Sequence, residues 1–177
     1  MLLDELAAET PAPGGGCAAA WCAALAAALV EMAATFTLAR PEYAARHARM
    51  GELRTRAGQL RALALELAER ELHAYQPVLD AQRLPPDDPA RAERLERALS
   101  DAADSPLELA RAAAELAELA SEAASTGNRS LQGDATAAAL LAGAACRAGV
   151  RLVQLNLARR PDDPRLAEAA ELQRRIR

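Results

Sequence analysis

Forty-eight of the 177 residues are alanine, whereas tryptophan, tyrosine and phenylalanine together make up only 2 %. Alanine loses no side-chain entropy on entering a helix and gives a pleated sheet almost nothing to pack. A chain of this make-up is driven into helices, and a β-rich fold is close to excluded. Small side chains also let helices approach closely, so each helix buries little apolar area, at about 25 cal/mol per Å². A second subunit covering the faces that one chain leaves bare is therefore expected, and the chain reads as an oligomer.

A length of 177 residues fits one domain with a sizeable core, and 51 % apolar with 26 % charged residues is the balance of a soluble globular protein. All 21 basic residues are arginine. The absence of lysine excludes Schiff-base and P-loop lysine chemistry. A net charge of −4 and the scarcity of stacking rings argue against a nucleic-acid partner. Cys17, Cys22 and Cys146 are odd in number and contain no CxxC pair. They read as small buried thiols of a reducing compartment, and His47 and His73 are too few for most metal sites. Asp4, Glu5 and Glu9, with no positive charge around them, are unlike a secretory signal.

Thr10–Val30 carries no charge over 21 residues, the length of a bilayer span. It opens, however, with Pro11, Pro13 and three glycines, is mostly alanine and runs into Glu31. Alanine contributes little to membrane insertion. The segment is expected to be a core helix of a soluble, cytoplasmic protein with no membrane partner.

Glycine and proline clusters cut the chain into helices. A short one over residues 3–8 ends at Thr10-Pro11-Ala12-Pro13-Gly14-Gly15-Gly16. From there to Leu38 the large residues Trp21, Leu25, Leu29, Met32 and Phe36 share one stripe, with alanine on the other faces. Such a helix is expected at the centre of a bundle, packed on several sides. The next, over residues 41–75, has Met50, Leu53, Leu60, Leu63 and Leu67 as its stripe. After the loop Leu84–Pro89 and a short helix over residues 90–100, Asp104 or Ser105 is placed to cap a helix with Pro106 at its first position. Its stripe is Leu109, Ala113, Leu116, Ala120 and Ala123. Ser125–Gly133 is a second glycine-and-polar loop, followed by an alanine-rich helix to Ala158 and a charged terminal helix. The expected architecture is all-α: one domain over residues 1–177, a mostly antiparallel bundle with two long alanine-rich central helices.

Three consecutive glycines, Gly14, Gly15 and Gly16, cost conformational entropy at a helix start. They allow close backbone approach, and the free N–H groups there attract a carboxylate, phosphate or oxyanion. A tight turn between touching helices accounts for them equally well. Cys17 stands where a thiol pKa can fall, but no histidine or lysine is near in sequence, so it reads as a small residue in the turn. Asn128 and Asp134 flank the second loop as helix caps or, for Asp134, as a carboxylate at a cleft mouth serving as general acid or base. Asn156, among Val153, Leu155 and Leu157, needs hydrogen-bond partners if buried. Glu71 and His73 follow the charged run Glu66–Arg70 and on spacing alone continue a solvated face.

Thr10-Pro11-Ala12-Pro13-Gly14-Gly15-Gly16-Cys17-Ala18-Ala19-Ala20 resembles the opening signature of the cyclodeaminase/cyclohydrolase family, the folate-dependent domain fused to formiminotransferase in animals. Gly127-Asn128, Gly133-Asp134-Ala135-Thr136-Ala137-Ala138 and Leu155-Asn156-Leu157 are similar to its second signature. Glu71-Leu72-His73-Ala74-Tyr75, Ala81–Pro85 and Ser105-Pro106-Leu107 fall between them in the family's order. The resemblance covers essentially the whole chain.

It implies an all-α homodimer that binds a tetrahydrofolate derivative as substrate, without metal. The implied reaction is that of a formiminotetrahydrofolate cyclodeaminase or a methenyltetrahydrofolate cyclohydrolase. Either passes through a tetrahedral carbon between N5 and N10, served by a carboxylate acid/base. Carried over by position, Asp134 is the first choice for that carboxylate, with Glu71 the second catalytic candidate. Pro13, Gly14, Gly15, Gly16 and Cys17 would line the folate site, and Asn128 and Asn156 would hold the pterin. The chain departs from the family pattern in having Glu71 for aspartate, Cys17 for serine, Gly133 for serine, and Pro86 where a lysine follows the Leu-Pro pair. These departures carry the second reading: a folate-binding or helical interaction protein that kept the scaffold without its catalysis.

Overall fold

The alanine-rich stretches become eight α-helices among the described residues, 2–10 and 12–176 of the computed structural model, which shows no strand there. These are α1 (Leu2–Leu6), α2 (Gly15–Leu38), α3 (His47–Ala74), α4 (Gln76–Arg83), α5 (Arg91–Asp101), α6 (Asp104–Thr126), α7 (Gln132–Asn156) and α8 (Pro164–Arg175), with 3-10 turns at Pro41–Arg46 and Arg129–Leu131. Pro11, part of the glycine motif, lies outside the described residues.

Helices α2, α3, α6 and α7 form an antiparallel four-helix bundle in which α2 packs on α3 and α7, and α6 on α7 and α3. The directions follow from which residues meet. Cys17 at the start of α2 touches Ala68 late in α3, and Ala33 late in α2 clusters with Ala135 early in α7. Alanine sets the spacing. At the α6–α7 crossing a Cβ on Gly149 would lie 2.8 Å from the Pro106 carbonyl oxygen and 3.2 Å from the Ala110 Cβ. The large buried side chains are few and spread out: Met50, Leu53, Leu67, Leu107, Leu109, Leu116 and Leu157. The stripes expected on α3 and α6 face this core.

The α2 stripe does not. Leu25 is 62 % exposed and Phe36 53 %, with Trp21, Leu29 and Met32 half-buried, while Ala20, Ala26, Ala27, Ala34 and Val30 are fully enclosed. Helices α3 and α7 dock on the small-residue faces because only those allow close approach, which turns the bulky stripe outward. On the neighbouring helix, Leu140 (68 %) and Leu155 (52 %) are exposed as well. By length and composition alone, Gly15–Leu38 and Arg129–Asn156 could each cross a bilayer. In the structure both are bundle helices.

The start of α6 also differs from expectation. Its N-cap is Ala103, without a side-chain cap, and Asp104 and Ser105 are already helical. At the junction Ala102 N–H donates to Ala98 O and Ala103 N–H to Ser100 O, closing α5, and Leu107 N–H donates to Ala103 O, opening α6. The Ser105 hydroxyl is thereby left out of the capping. Helix α4 is a separate element beyond the first long outer helix, with Pro77 in its first turn, where its missing N–H costs nothing.

One polar cluster pins this corner. Arg165 donates to Ser100 O (2.8 Å) and Asp104 Oδ1 (2.6 Å), Arg160 to Glu96 Oε1 (2.9 Å), and Asn156 Nδ2 to Ala102 O (2.8 Å). The α7–α8 turn is thus tied to the α5–α6 junction, next to the largest concentration of sequence-predicted site residues.

Candidate active site

At that corner the N-termini of α2 and α6 meet the last turns of α3 and α7. They enclose a cavity of about 180 Å³ lined by Gly14, Gly15, Gly16, Glu71, Pro106 and Asn156 among others. Two helix N-termini direct their positive ends at the space. Among the described residues, none lining it is an arginine. Arg40 sits at the far end of α2, and Arg83 pairs with Asp80 at 3.2 Å on the outside of α4.

Gly16 and Glu71 fit one another. A Cβ on Gly16 would lie 1.9 Å from Glu71 Oε2 and 2.6 Å from Cδ, so the carboxyl fills the room a side chain would need. Gly15 meets nothing within 4 Å and leaves the approach open. Burial pushes the Glu71 carboxyl above the usual carboxylate range, opposed by the Ser105 hydroxyl and the Arg70 guanidinium. The hydroxyl stands beside the carboxyl but out of line: neither Glu71 Oε1 nor Ser105 Oγ completes a hydrogen bond, and both atoms are buried. A carboxyl that holds its proton more tightly than usual, facing a small cavity, is suited to exchanging protons with a bound molecule.

Cys17 is 1 % exposed and its Sγ donates to Ala68 O at 3.4 Å. Burial pushes the thiol up, so it remains protonated and is a packing residue at this helix start. Cys146, buried in the core, is pushed up to about 11.

The structure therefore brings together Gly14, Gly15, Gly16, Cys17, Glu71 and Asn156, with Pro13 between the lining residues Ala12 and Gly14. It places Asn128 and Asp134 elsewhere. Asp134 is in the first turn of α7 and Asn156 is its last residue, which at about 1.5 Å per residue separates them by roughly 33 Å. Asn128 Oδ1 accepts from Ser130 N–H (3.0 Å) and its own N–H donates to Thr37 Oγ1 (2.9 Å), which closes the loop at that end. Residues that sequence reasoning passed over as site members are Ser105, Pro106, Ala102, Tyr75 and Leu152. Ser105-Pro106 was read as a helix start and as a segment in the family's order, without a role in the site.

A profile of the formiminotransferase-cyclodeaminase family matches residues 1–175. The chain belongs to this family. It is 34 % identical over 170 residues to a methenyltetrahydrofolate cyclohydrolase of Methylorubrum extorquens, covering 94 % of this chain and 81 % of that one. It is 32 % identical over 139 residues to the formimidoyltransferase-cyclodeaminase of Sus scrofa, covering 76 % of this chain and 26 % of that protein. Among solved structures, a formiminotetrahydrofolate cyclodeaminase from Thermotoga maritima superposes with a TM-score of 0.85 at 27 % identity, covering 99 % of this chain and 85 % of the other. Within the formiminotransferase-cyclodeaminase family, this chain thus has relatives along its whole length, and the bundle described above is the family's fold.

Proposed function

We propose that this chain is a cytoplasmic, homodimeric enzyme that hydrolyses methenyltetrahydrofolate to formyltetrahydrofolate. The observation that carries the reading is the buried Glu71 carboxyl, its Oε2 seated against Gly16 at the wall of a cavity framed by two helix N-termini. The extent and identity of the match to the cyclohydrolase relative support this substrate over others.

The bridging carbon of the substrate carries positive charge between N5 and N10. Water attacks it, forming the C–O bond, while Glu71 takes a proton from the water. The C–N5 bond then breaks, its electron pair goes to N5, and Glu71 returns the proton there. The hydroxyl proton is released as the formyl C=O forms on N10. Cation plus water thus gives the neutral formyl product and one proton. The route calls for no metal, because the substrate carbon is already a cation. The free N–H groups of Gly15 and Gly16 are placed to stabilise the oxygen of the tetrahedral intermediate. Asn156, held by Ala102 O, is the amide available to the pterin.

At about 180 Å³ the cavity holds the reacting head of a folate rather than the whole of it, since ligand pockets usually run to about 300–1,000 Å³. A wider groove of about 610 Å³ lies beside the α3–α4 junction, with Arg94, Arg97 and His73 in its wall together with Asp80 and Asp101. The exposed apolar face of α2 and α7 supports the homodimer. The three free thiols support a reducing compartment.

The likeness to the Thermotoga maritima cyclodeaminase favours a second reading, ring closure of formiminotetrahydrofolate with loss of ammonia by the same carboxyl. The purified protein is expected to accelerate the loss of methenyltetrahydrofolate absorbance above a buffer blank. Acceleration with the formimino compound alone would favour the second reading, and acceleration with neither would leave a non-catalytic scaffold.

A further inference from the structure

We propose that Ser105 is a positioning residue for Glu71: its hydroxyl donates to Oε1 and so reserves Oε2, the oxygen against Gly16, for proton exchange with substrate. The inference rests on the reading of Glu71 as the acid/base.

Ser105 is 7 % exposed, and both its Oγ and Glu71 Oε1 are buried without a hydrogen-bond partner. Buried polar groups in native proteins are almost always satisfied, so two adjacent unsatisfied ones of complementary type call for each other. A hydroxyl can donate, and an ionised carboxylate can only accept. The serine is free to do so: its Oγ has no other hydrogen-bond partner and the N-cap of α6 is Ala103, not Ser105.

The other carboxyl oxygen is fixed independently, by contact with the Gly16 backbone. With Oε1 engaged, the proton of the acid form sits on Oε2 and points into the cavity. Besides Ser105 from α6, the polar and charged groups around Glu71 are the Cys17 thiol from α2, Asn156 from α7, Tyr75 at the head of α4, and Arg70 and Glu69 on its own helix. Only the serine pairs with the unsatisfied oxygen.

The test compares wild type, Ser105→Ala, Ser105→Thr and Glu71→Gln in methenyltetrahydrofolate hydrolysis across pH. It is paired with the 13C NMR titration of the Glu71 carboxyl in the unliganded wild-type and serine variants. Ser105→Ala is expected to lose about tenfold in kcat, the worth of one hydrogen bond, with KM little changed. Its acid limb and the carboxyl midpoint should both move to higher pH, because a donor to the ionised form is gone. Ser105→Thr should restore both. An unmoved carboxyl midpoint in Ser105→Ala overturns the proposal, whatever happens to the rate. If Glu71→Gln keeps the wild-type rate and pH profile, the Glu71 assignment itself has failed. If Glu71→Gln is inactive while the limb of Ser105→Ala stays put, the serine alone is wrong.

Discussion

Gly15 and Gly16 are adjacent and chemically identical, yet their surroundings assign them different tasks. Gly16→Ala would drive a methyl into the Glu71 carboxyl, whereas Gly15→Ala fills open space. The former is expected to reduce turnover at least tenfold by displacing Oε2, with little loss of melting temperature because the carboxyl ends a flexible side chain that can swing aside. The latter should leave the melting temperature unchanged or raise it, since alanine loses less entropy than glycine in a helix. Thermal melts of the two variants check this. Glu71 itself makes a prediction about pH. Its folded-state pKa is raised, so between the ordinary carboxylate pKa and the folded value the native state binds more protons than the unfolded chain. Stability on this account falls as pH rises through that window and stays low above it. Glu71→Gln should therefore melt higher than wild type at neutral pH, and the gap should close below about pH 4.5, near the ordinary glutamate pKa.

Glu71 entered the catalytic candidates through the family resemblance, and the residue pattern alone hid it for a reason that lies at this same scale. It follows a charged run on the outer face of α3, and residue spacing alone continues that face into solvent. Its burial comes from the start of α2, more than fifty residues earlier, folding across it. The glycine run was legible as a point of close approach, but what approaches it was not. Asp134 stood out by its position in the second signature that the chain resembles, whereas spacing alone read it as a helix cap. In the structure it occupies the first turn of α7, where a carboxylate faces the positive end of its own helix.

At the scale of elements, the alanine count and the glycine–proline breaks specified helices and nearly their ends, but they missed α4, which Pro77 starts as a separate helix. Periodicity gave the stripes of α2, α3 and α6. On α3 and α6 the large residues face inward, as expected, but on α2 they face out. The period of a stripe fixes which residues share a face and says nothing of which face is buried when alanine can pack as well as leucine. The α6–α7 crossing shows what close packing demands. A Cβ on Gly149 would press on backbone, the Pro106 carbonyl, which cannot swing aside as a side chain would. Gly149→Ala is expected to destabilise the fold by about 1–3 kcal/mol. Because Pro106 also lines the cavity, it should weaken turnover as well. Parallel denaturant unfolding and activity assays test the linkage.

For the whole molecule, ion pairs encircle the bundle: Arg49–Glu122, Arg56–Glu115 and Arg70–Glu108 join α3 to α6, and Arg111–Glu168 joins α6 to α8. Exposed pairs of this kind contribute about 0–1 kcal/mol each, so they set register more than stability. Leu25 and Phe36 lie on the exposed face of α2 and Leu155 is exposed on α7, whereas Leu140 borders a groove beside the Glu118–Arg175 pair. A dimer on the α2 face predicts that Leu25→Glu with Phe36→Glu gives a folded monomer by light scattering, with helicity retained. A wild-type monomer at micromolar concentration would contradict it.

The most direct measurement is the rate of methenyltetrahydrofolate hydrolysis by wild type, Glu71→Gln and Asp134→Asn, side by side. Loss of a general acid/base costs about 10²–10⁴-fold, and that loss is predicted for Glu71→Gln, with Asp134→Asn close to wild type. An active Glu71→Gln beside an inactive Asp134→Asn would contradict the account and move the chemistry to the other end of the bundle.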